Sequence, residues 1–134
     1  MRVVFDTNVL IAAFLTEGVC SKLLIRARRG ECDLFLSDEI IREFKKNLQT
    51  KFFFSTSEIN EACAVLLEAA EDTVQKVNPI PPICRDPTDD KILACAKQTG
   101  ADYLVTGDQD LLAIKRHDRT RIVTPRTFED TFED

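Results

Sequence analysis

Apolar residues in this 134-residue chain fall into short continuous runs and longer stretches with helical spacing. The first kind reads as strands buried on both faces, the second as amphipathic helices. Val3-Val4-Phe5 stops abruptly at Asp6, with helix-forming residues directly after it, and so predicts a buried parallel strand that ends on an acid. The next helix reaches about Leu15, with Thr7 or Asn8 as its cap, and Gly18 breaks it. Ser21 to Arg29 repeats Leu24, Ile25 and Ala27 at helical spacing, and Gly30 suits the position just past its end. Asp33-Leu34-Phe35-Leu36 predicts a second strand. Ser37 then caps a helix through Leu48 whose stripe is Ile40, Ile41, Phe44 and Leu48, with Glu43 at its border.

In the second half, Lys51-Phe52-Phe53-Phe54 is an aromatic cluster outside any regular element, read as packing or a dimer contact. Ser57 opens a helix to about Ala70 with Ile59, Ala62, Cys63, Leu66 and Leu67 inside. Thr73 to Val77 alternates weakly, as a third strand would. Residues 78–87 carry four of the five prolines and predict an extended loop. Thr88 caps a helix to Thr99, closed by Gly100. Asp102 to Thr106 is a fourth strand, with Gly107-Asp108-Gln109-Asp110 at its carboxyl end and a helical turn or two over Leu111 to Ile114. Arg121 to Thr124 reads as an edge strand, and Pro125 starts a last short helix. The alternation predicts an α/β fold, one domain over residues 1–134: a doubly wound, mainly parallel sheet of four to five strands with helices on both faces.

Composition narrows the chemistry. Hydrophobic residues make up 44% and charged residues 31%, as in ordinary soluble proteins. No apolar run approaches the roughly 18 residues of a membrane span. No signal-peptide pattern opens the chain, so the expected location is the cytoplasm, without a membrane partner. Five scattered cysteines are expected to be free and mostly buried, in a reducing compartment. His117 is the single histidine and is expected on the surface, which removes zinc sites and Ser-His-Asp or Cys-His catalysis. A net charge of −5 opposes nucleic-acid binding unless acids are gathered around cations. Asp6, Glu43, Asp90, Asp108 and Asp110 account for that whole charge, leaving Arg26, Arg28, Arg29, Lys45, Lys46, Lys51, Lys115, Arg116, Arg119 and Arg121 to face phosphates.

Those acids follow strand one, lie inside a helix, open another helix and follow strand four, positions that a parallel sheet brings to one edge, where ligands bind. Grouped carboxylates repel, so their grouping makes chemical sense with a hard divalent cation. An acid after the first strand also suits aspartyl-phosphate phosphatases, but Asn8 stands where they need a second acid. A phospho-receiver domain would need an acid pair at strand one and a lysine after the last strand, where Thr124-Pro125-Arg126 stands.

Four stretches carry a resemblance. Phe5-Asp6-Thr7-Asn8-Val9-Leu10, Ser37-Asp38-Glu39-Ile40-Ile41-Arg42-Glu43-Phe44, Arg85-Asp86-Pro87-Thr88-Asp89-Asp90-Lys91-Ile92-Leu93-Ala94 and Ala101-Asp102-Tyr103-Leu104-Val105-Thr106-Gly107-Asp108-Gln109-Asp110-Leu111 resemble the four motifs of the PIN domain, in order and spacing. The resemblance implies a Mg²⁺- or Mn²⁺-dependent endoribonuclease that hydrolyses RNA, similar to VapC-type toxins, with an antitoxin protein partner and a homodimeric state. It implies Asp6, Glu43, Asp90 and Asp108 as the acidic quartet, Asp110 as an accessory metal ligand, and Asn8 and Thr106 as supporting residues. Asp86 and Asp89 are not carried over, because the family's acid is followed after two residues by a Leu-Ala-like pair, here Leu93-Ala94. The alternative reading is a PIN-like module that binds RNA or a protein without cutting.

Overall fold

The computed structural model describes residues 1–133. Strand β1 (Arg2–Phe5) lies at the centre of a sheet with β2 (Asp33–Ser37) on one side and β4 (Tyr103–Val105) on the other. Beyond β2 comes β3 (Ala70–Val74), and beyond β4 come β6 (Thr120–Val123) and β5 (Arg116–His117), in the order β3-β2-β1-β4-β6-β5. All pairings are parallel except β5 with β6. Val3, Val4, Phe5, Leu34, Leu36, Leu104 and Val105 are buried, as expected for strands covered on both faces.

The helices are α1 (Thr7–Leu15), α2 (Val19–Arg28), α3 (Asp38–Thr50), α4 (Thr56–Ala69), α5 (Pro87–Thr99), α6 (Gln109–Ile114) and α7 (Pro125–Glu129). On one face of the sheet Phe128 of α7 meets Phe5 and Tyr103, with ring centroids 6.1 and 5.3 Å apart. On the other, Arg2 reaches past the ring of Phe35 to donate to the Thr99 carbonyl at the end of α5. Side chains alternate along each strand, so both faces of β1, at the centre of the sheet, are covered.

Capping explains most helix starts. Ser37 accepts from the Ile40 N–H, as its sequence context predicts, while Ser55 and Glu58 form a reciprocal capping box. The caps of α1 and α5 differ from expectation: Asp6 and Asp86, which lie ahead of the predicted caps, accept from Thr7 and Thr88. β3 begins three residues earlier than its alternation suggests, because it is an edge strand whose Glu71 and Asp72 face water. The sixth strand, β5, has only two residues, too few to show a period. Phe54 packs against the core, whereas Phe52 and Phe53 are 42% and 85% exposed, and Phe53 holds a left-handed φ of 58°. All five cysteines are free; Cys32, Cys63 and Cys95 are buried, Cys20 and Cys84 half-buried. His117 is half-buried in β5 rather than exposed. Among the described residues no single helix is long and apolar enough to cross a bilayer.

The carboxyl-terminal helix is held by a buried ion pair. Arg26 of α2 is 5% exposed and Glu129 of α7 8% exposed. Arg26 Nε donates to both Glu129 oxygens at 2.8 and 2.9 Å, and its guanidinium lies 4.1 Å from the Phe132 ring centroid. Hydrogen bonds from Arg26 hold the Glu129 carboxyl below the usual glutamate range, so its contribution to stability exists above that range and disappears as pH falls through it. Removing one partner strands the other charge, so Glu129→Gln should destabilise the fold by about 3 kcal/mol. Arg26→Met combined with Glu129→Leu should recover most of that loss in urea unfolding, and a double variant as unstable as the single one would refute this account.

Candidate active site

β1, β2 and β4 run parallel, so their carboxyl ends open on one edge, and the chain places an acid near each opening. Asp6 directly follows β1. Its backbone N–H continues the ladder to the Val105 carbonyl at 2.9 Å, which fixes the residue beside β4. The side chain is 6% exposed; Oδ1 accepts from the Thr7 N–H and Oδ2 from the Thr106 hydroxyl, both at 2.7 Å. Thr106 is fully buried, and its Oγ1 also accepts from the Asp108 N–H at 3.0 Å. One hydroxyl thus ties the acid after β1 to the turn after β4.

Asp108 caps α6 by accepting from the Asp110 N–H at 2.8 Å. Glu43 projects from α3 into the field of Asp6 and Asp86. Asp89 of α5 lies within hydrogen-bonding reach of the Asp108 carboxyl and in the field of Asp86 and Asp6. Five carboxylates, Asp6, Glu43, Asp86, Asp89 and Asp108, therefore share one neighbourhood. Three of them, Asp6, Asp86 and Asp108, are helix N-caps, so the amino ends of α1, α5 and α6 supply part of the opposing charge.

That compensation is incomplete. Burial first, and Asp108 after the hydrogen bonds have subtracted, push the Asp6 carboxyl above the usual aspartate range. Burial followed by Asp6 and Asp86 raises Glu43. Burial, then repulsion from Asp108, Asp86 and Asp6, holds Asp89 up at about 6. Each raised value measures a preference for neutralisation that a proton or a cation satisfies.

The structure departs from the expected quartet at one member. Asp90 faces away from these acids: its Oδ1 accepts from the Ile83 and Cys84 N–H groups at 3.1 and 2.9 Å, and those bonds lower its affinity for protons. It lines a separate cavity of about 310 Å³ with Arg42, Lys91 and the 77–80 segment. Asp89, 7% exposed, lies beside Asp108 instead. Helical phase carries only a thin signal: both acids precede buried residues by three and four positions, and they differ at seven, where Asp89 meets the buried Ala96 and Asp90 the exposed Lys97. Asp110 is half exposed and pairs with Arg85 at 2.9 Å, at the rim. Asn8 is exposed and lines a groove with Ile11, Ala12, Lys51 and Phe52 rather than supporting Asp6.

These features define an α/β domain with an all-carboxylate site at the carboxyl edge of its parallel sheet. The sequence model of the PIN domain matches residues 2–110, and the chain belongs to that family. The family is generally a nuclease fold whose enzymes use divalent metals. No curated protein matches the chain. The donors fit such an ion: they are hard oxygens without histidine or cysteine, and Asp6, Glu43 and Asp89 hold protons too tightly for their type. Among the described residues no three of these side chains, as placed, come close enough together to hold a metal ion. Mg²⁺ takes one or two carboxylates and keeps several waters, so an open arrangement suits it.

Raised acids give a pH signature. Without metal, the protonated form of Asp89 stabilises the fold below its ordinary 3.8, and that stability is lost as pH rises through about 6. The metal-free protein in EDTA should lose about 2 kcal/mol across this window, and Asp89→Asn should flatten the profile. An equally steep profile in that variant would show that Asp89 is not the group responsible.

Proposed function

We propose that this chain is a Mg²⁺- or Mn²⁺-dependent endoribonuclease, the toxin of a toxin–antitoxin pair, with RNA as substrate and Asp6, Asp89, Asp108 and Glu43 as its working acids. The observation that carries this reading is the cluster of mutually repelling carboxylates on the open edge of the sheet, inside a family whose fold is generally a nuclease. When bound, a divalent ion supplies Lewis acidity toward a phosphoryl oxygen and acidifies water. Asp6 and Asp108 would hold that ion, since the Thr106 hydroxyl fixes the first against the turn that carries the second. Asp89 and Glu43 stand next to them, each with its proton affinity raised by burial and by neighbouring carboxylates, and would orient a water or take its proton. Asp110, held by Arg85 at the rim, shapes the approach.

The toxin role and the antitoxin partner rest on the similarity of the four motifs to VapC-type toxins. A homodimer is supported by the exposed Phe53 and by Phe52, which lines one groove with Leu15, since exposed apolar side chains of this kind mark protein contacts.

Two measurements test these assignments. In gel assays on single-stranded and structured RNA with Mn²⁺, Asp6→Asn, Asp89→Asn and Asp108→Asn should each lower the cleavage rate about a hundredfold or more, and EDTA should abolish it. Asp90→Asn should keep most of the rate. The reverse ranking of Asp89 and Asp90 would restore the quartet implied by the motifs, and metal binding without turnover on any RNA would favour the non-catalytic module. In sedimentation, Phe53→Asp should give monomers where the native chain gives dimers; an unchanged dimer would remove the aromatic patch from the interface.

A further inference from the structure

A second charged feature lies at the amino end of the same strands. β5 pairs antiparallel with β6 so that Arg116 stands opposite Arg121, and β6 pairs with β4 so that Arg121 stands beside Tyr103. Directly paired residues project from the same face, so the three side chains form one row. They line an open cleft of about 490 Å³ whose remaining wall is Met1, Asp102 and Arg119.

The row is electrostatically unfavourable as it stands, because like charges directly opposite across two strands repel. The one acid in the cleft is already engaged. Asp102 accepts from the Arg2 N–H and from Arg119, both at 2.9 Å, and those bonds hold its carboxyl below the usual range. Arg116 Nε donates to the Asp118 carbonyl at 3.0 Å, and the Asp118 carboxylate is turned to Lys97 at 3.6 Å. Among the described residues neither Arg116 nor Arg121 has a carboxylate partner. Two adjacent guanidinium forks facing one cleft match an anion with several oxygens, which each can grip in bidentate fashion.

The place of the row selects the anion. β4 and the turn after it lead from Tyr103 to Thr106 and Asp108, so the arginines and the acids lie on the order of 10–15 Å apart. A short single strand of nucleic acid covers that distance along the β5–β6 edge. The same edge carries Lys115, Arg116, Arg119 and Arg121 within one short stretch. We propose that Arg116 and Arg121 grip a backbone phosphate of the RNA at a distance from the bond being cut, an assignment that rests on the ribonuclease reading above. Arg119, held by Asp102, closes the wall of this phosphate site, and the Tyr103 ring, packed on Phe128, forms its floor.

Fluorescence anisotropy of a single-stranded RNA in EDTA, titrated at several salt concentrations, tests the site without cleavage. The Arg116→Ala, Arg121→Ala double variant should bind at least about tenfold more weakly. Its log–log salt slope should be smaller by about 0.7 for each phosphate that the protein no longer neutralises. Lysine at both positions should keep the slope while recovering only part of the affinity. Cleavage of an oligonucleotide too short to reach the row should proceed equally in native chain and variant. Equal affinity and slope in the alanine variant would overturn the proposal. A polyglutamate chain displacing RNA from the native protein as well as RNA does would overturn the assignment to nucleic acid. Inorganic phosphate should raise the melting temperature of the native chain but not of the alanine variant. That result from a chain that cuts no RNA with any ion would refute the ribonuclease reading and leave the phosphate site standing.

Discussion

Asp6 sits where β1 leaves the interior, and its surroundings answer to the free energy of keeping a carboxylate nearly out of water. Two short hydrogen bonds and the amino end of α1 lower that cost, but burial still dominates, so the group remains hungry for positive charge. Nearby acids deepen the deficit instead of relieving it. An arrangement of this kind is unfavourable for folding alone, and it persists because the hydrophobic core over-determines the backbone around it. Val3, Val4, Phe5, Leu104 and Val105 are all essentially inaccessible, which leaves β1 and β4 no freedom to slip and separate Asp6 from Thr106.

Topology turns this local tension into a site. Parallel strands end on one side, and each following helix begins there, so an N-cap acid is both a local device and a member of the cluster. Asp6, Asp86 and Asp108 each satisfy a helix start with one oxygen; the second oxygen of Asp6 accepts from Thr106, and those of Asp86 and Asp108 remain for the cleft. Thr106 couples two such starts through a single hydroxyl. A methyl group in its place would leave Asp6 Oδ2 without a donor and the Asp108 N–H without an acceptor, loosening both elements together.

Most of this architecture is legible in the residues, for identifiable reasons. Buried parallel strands make continuous apolar runs, and Val3 to Phe5, Leu34 to Leu36 and Tyr103 to Val105 all lie within a residue or two of the strands they announce. β3 is harder to place because an edge strand exposes one side and its acids obscure the alternation. β5 escapes a periodicity argument altogether, since two residues carry no period. At the site, Asp6, Glu43 and Asp108 are readable from their places after strands or on a stripe border, whereas Thr106 is indicated only through the resemblance of its motif. Asp89 and Asp90 are not separable by residue type, because adjacent acids differ only in helical phase. A shift of one residue turns a helical side chain by roughly 100°, enough to move a carboxylate from the cleft to the loop behind it. Asn8 shows the same limit: one residue past Asp6 and Thr7, it has already turned outward on α1.

Net charge is a poor guide to partners when a fold sorts its charges by edge. The chain carries −5 overall, yet its acids gather at the carboxyl ends of the strands, while Arg116, Arg119 and Arg121 cluster at the amino ends of β4 and β6. With a Debye length near about 8 Å at physiological salt, a phosphate at one edge barely senses the other. Each edge therefore acts on its own local charge. The acidic edge repels a polyanion until a cation neutralises it, whereas the arginine edge attracts one unaided. A strand of RNA engaging both would meet the arginines first, because long-range steering favours the uncompensated cations. On the ribonuclease proposal it would then reach the acids only with a divalent ion in place, and binding and cutting would depend on different groups and respond separately to salt and to metal.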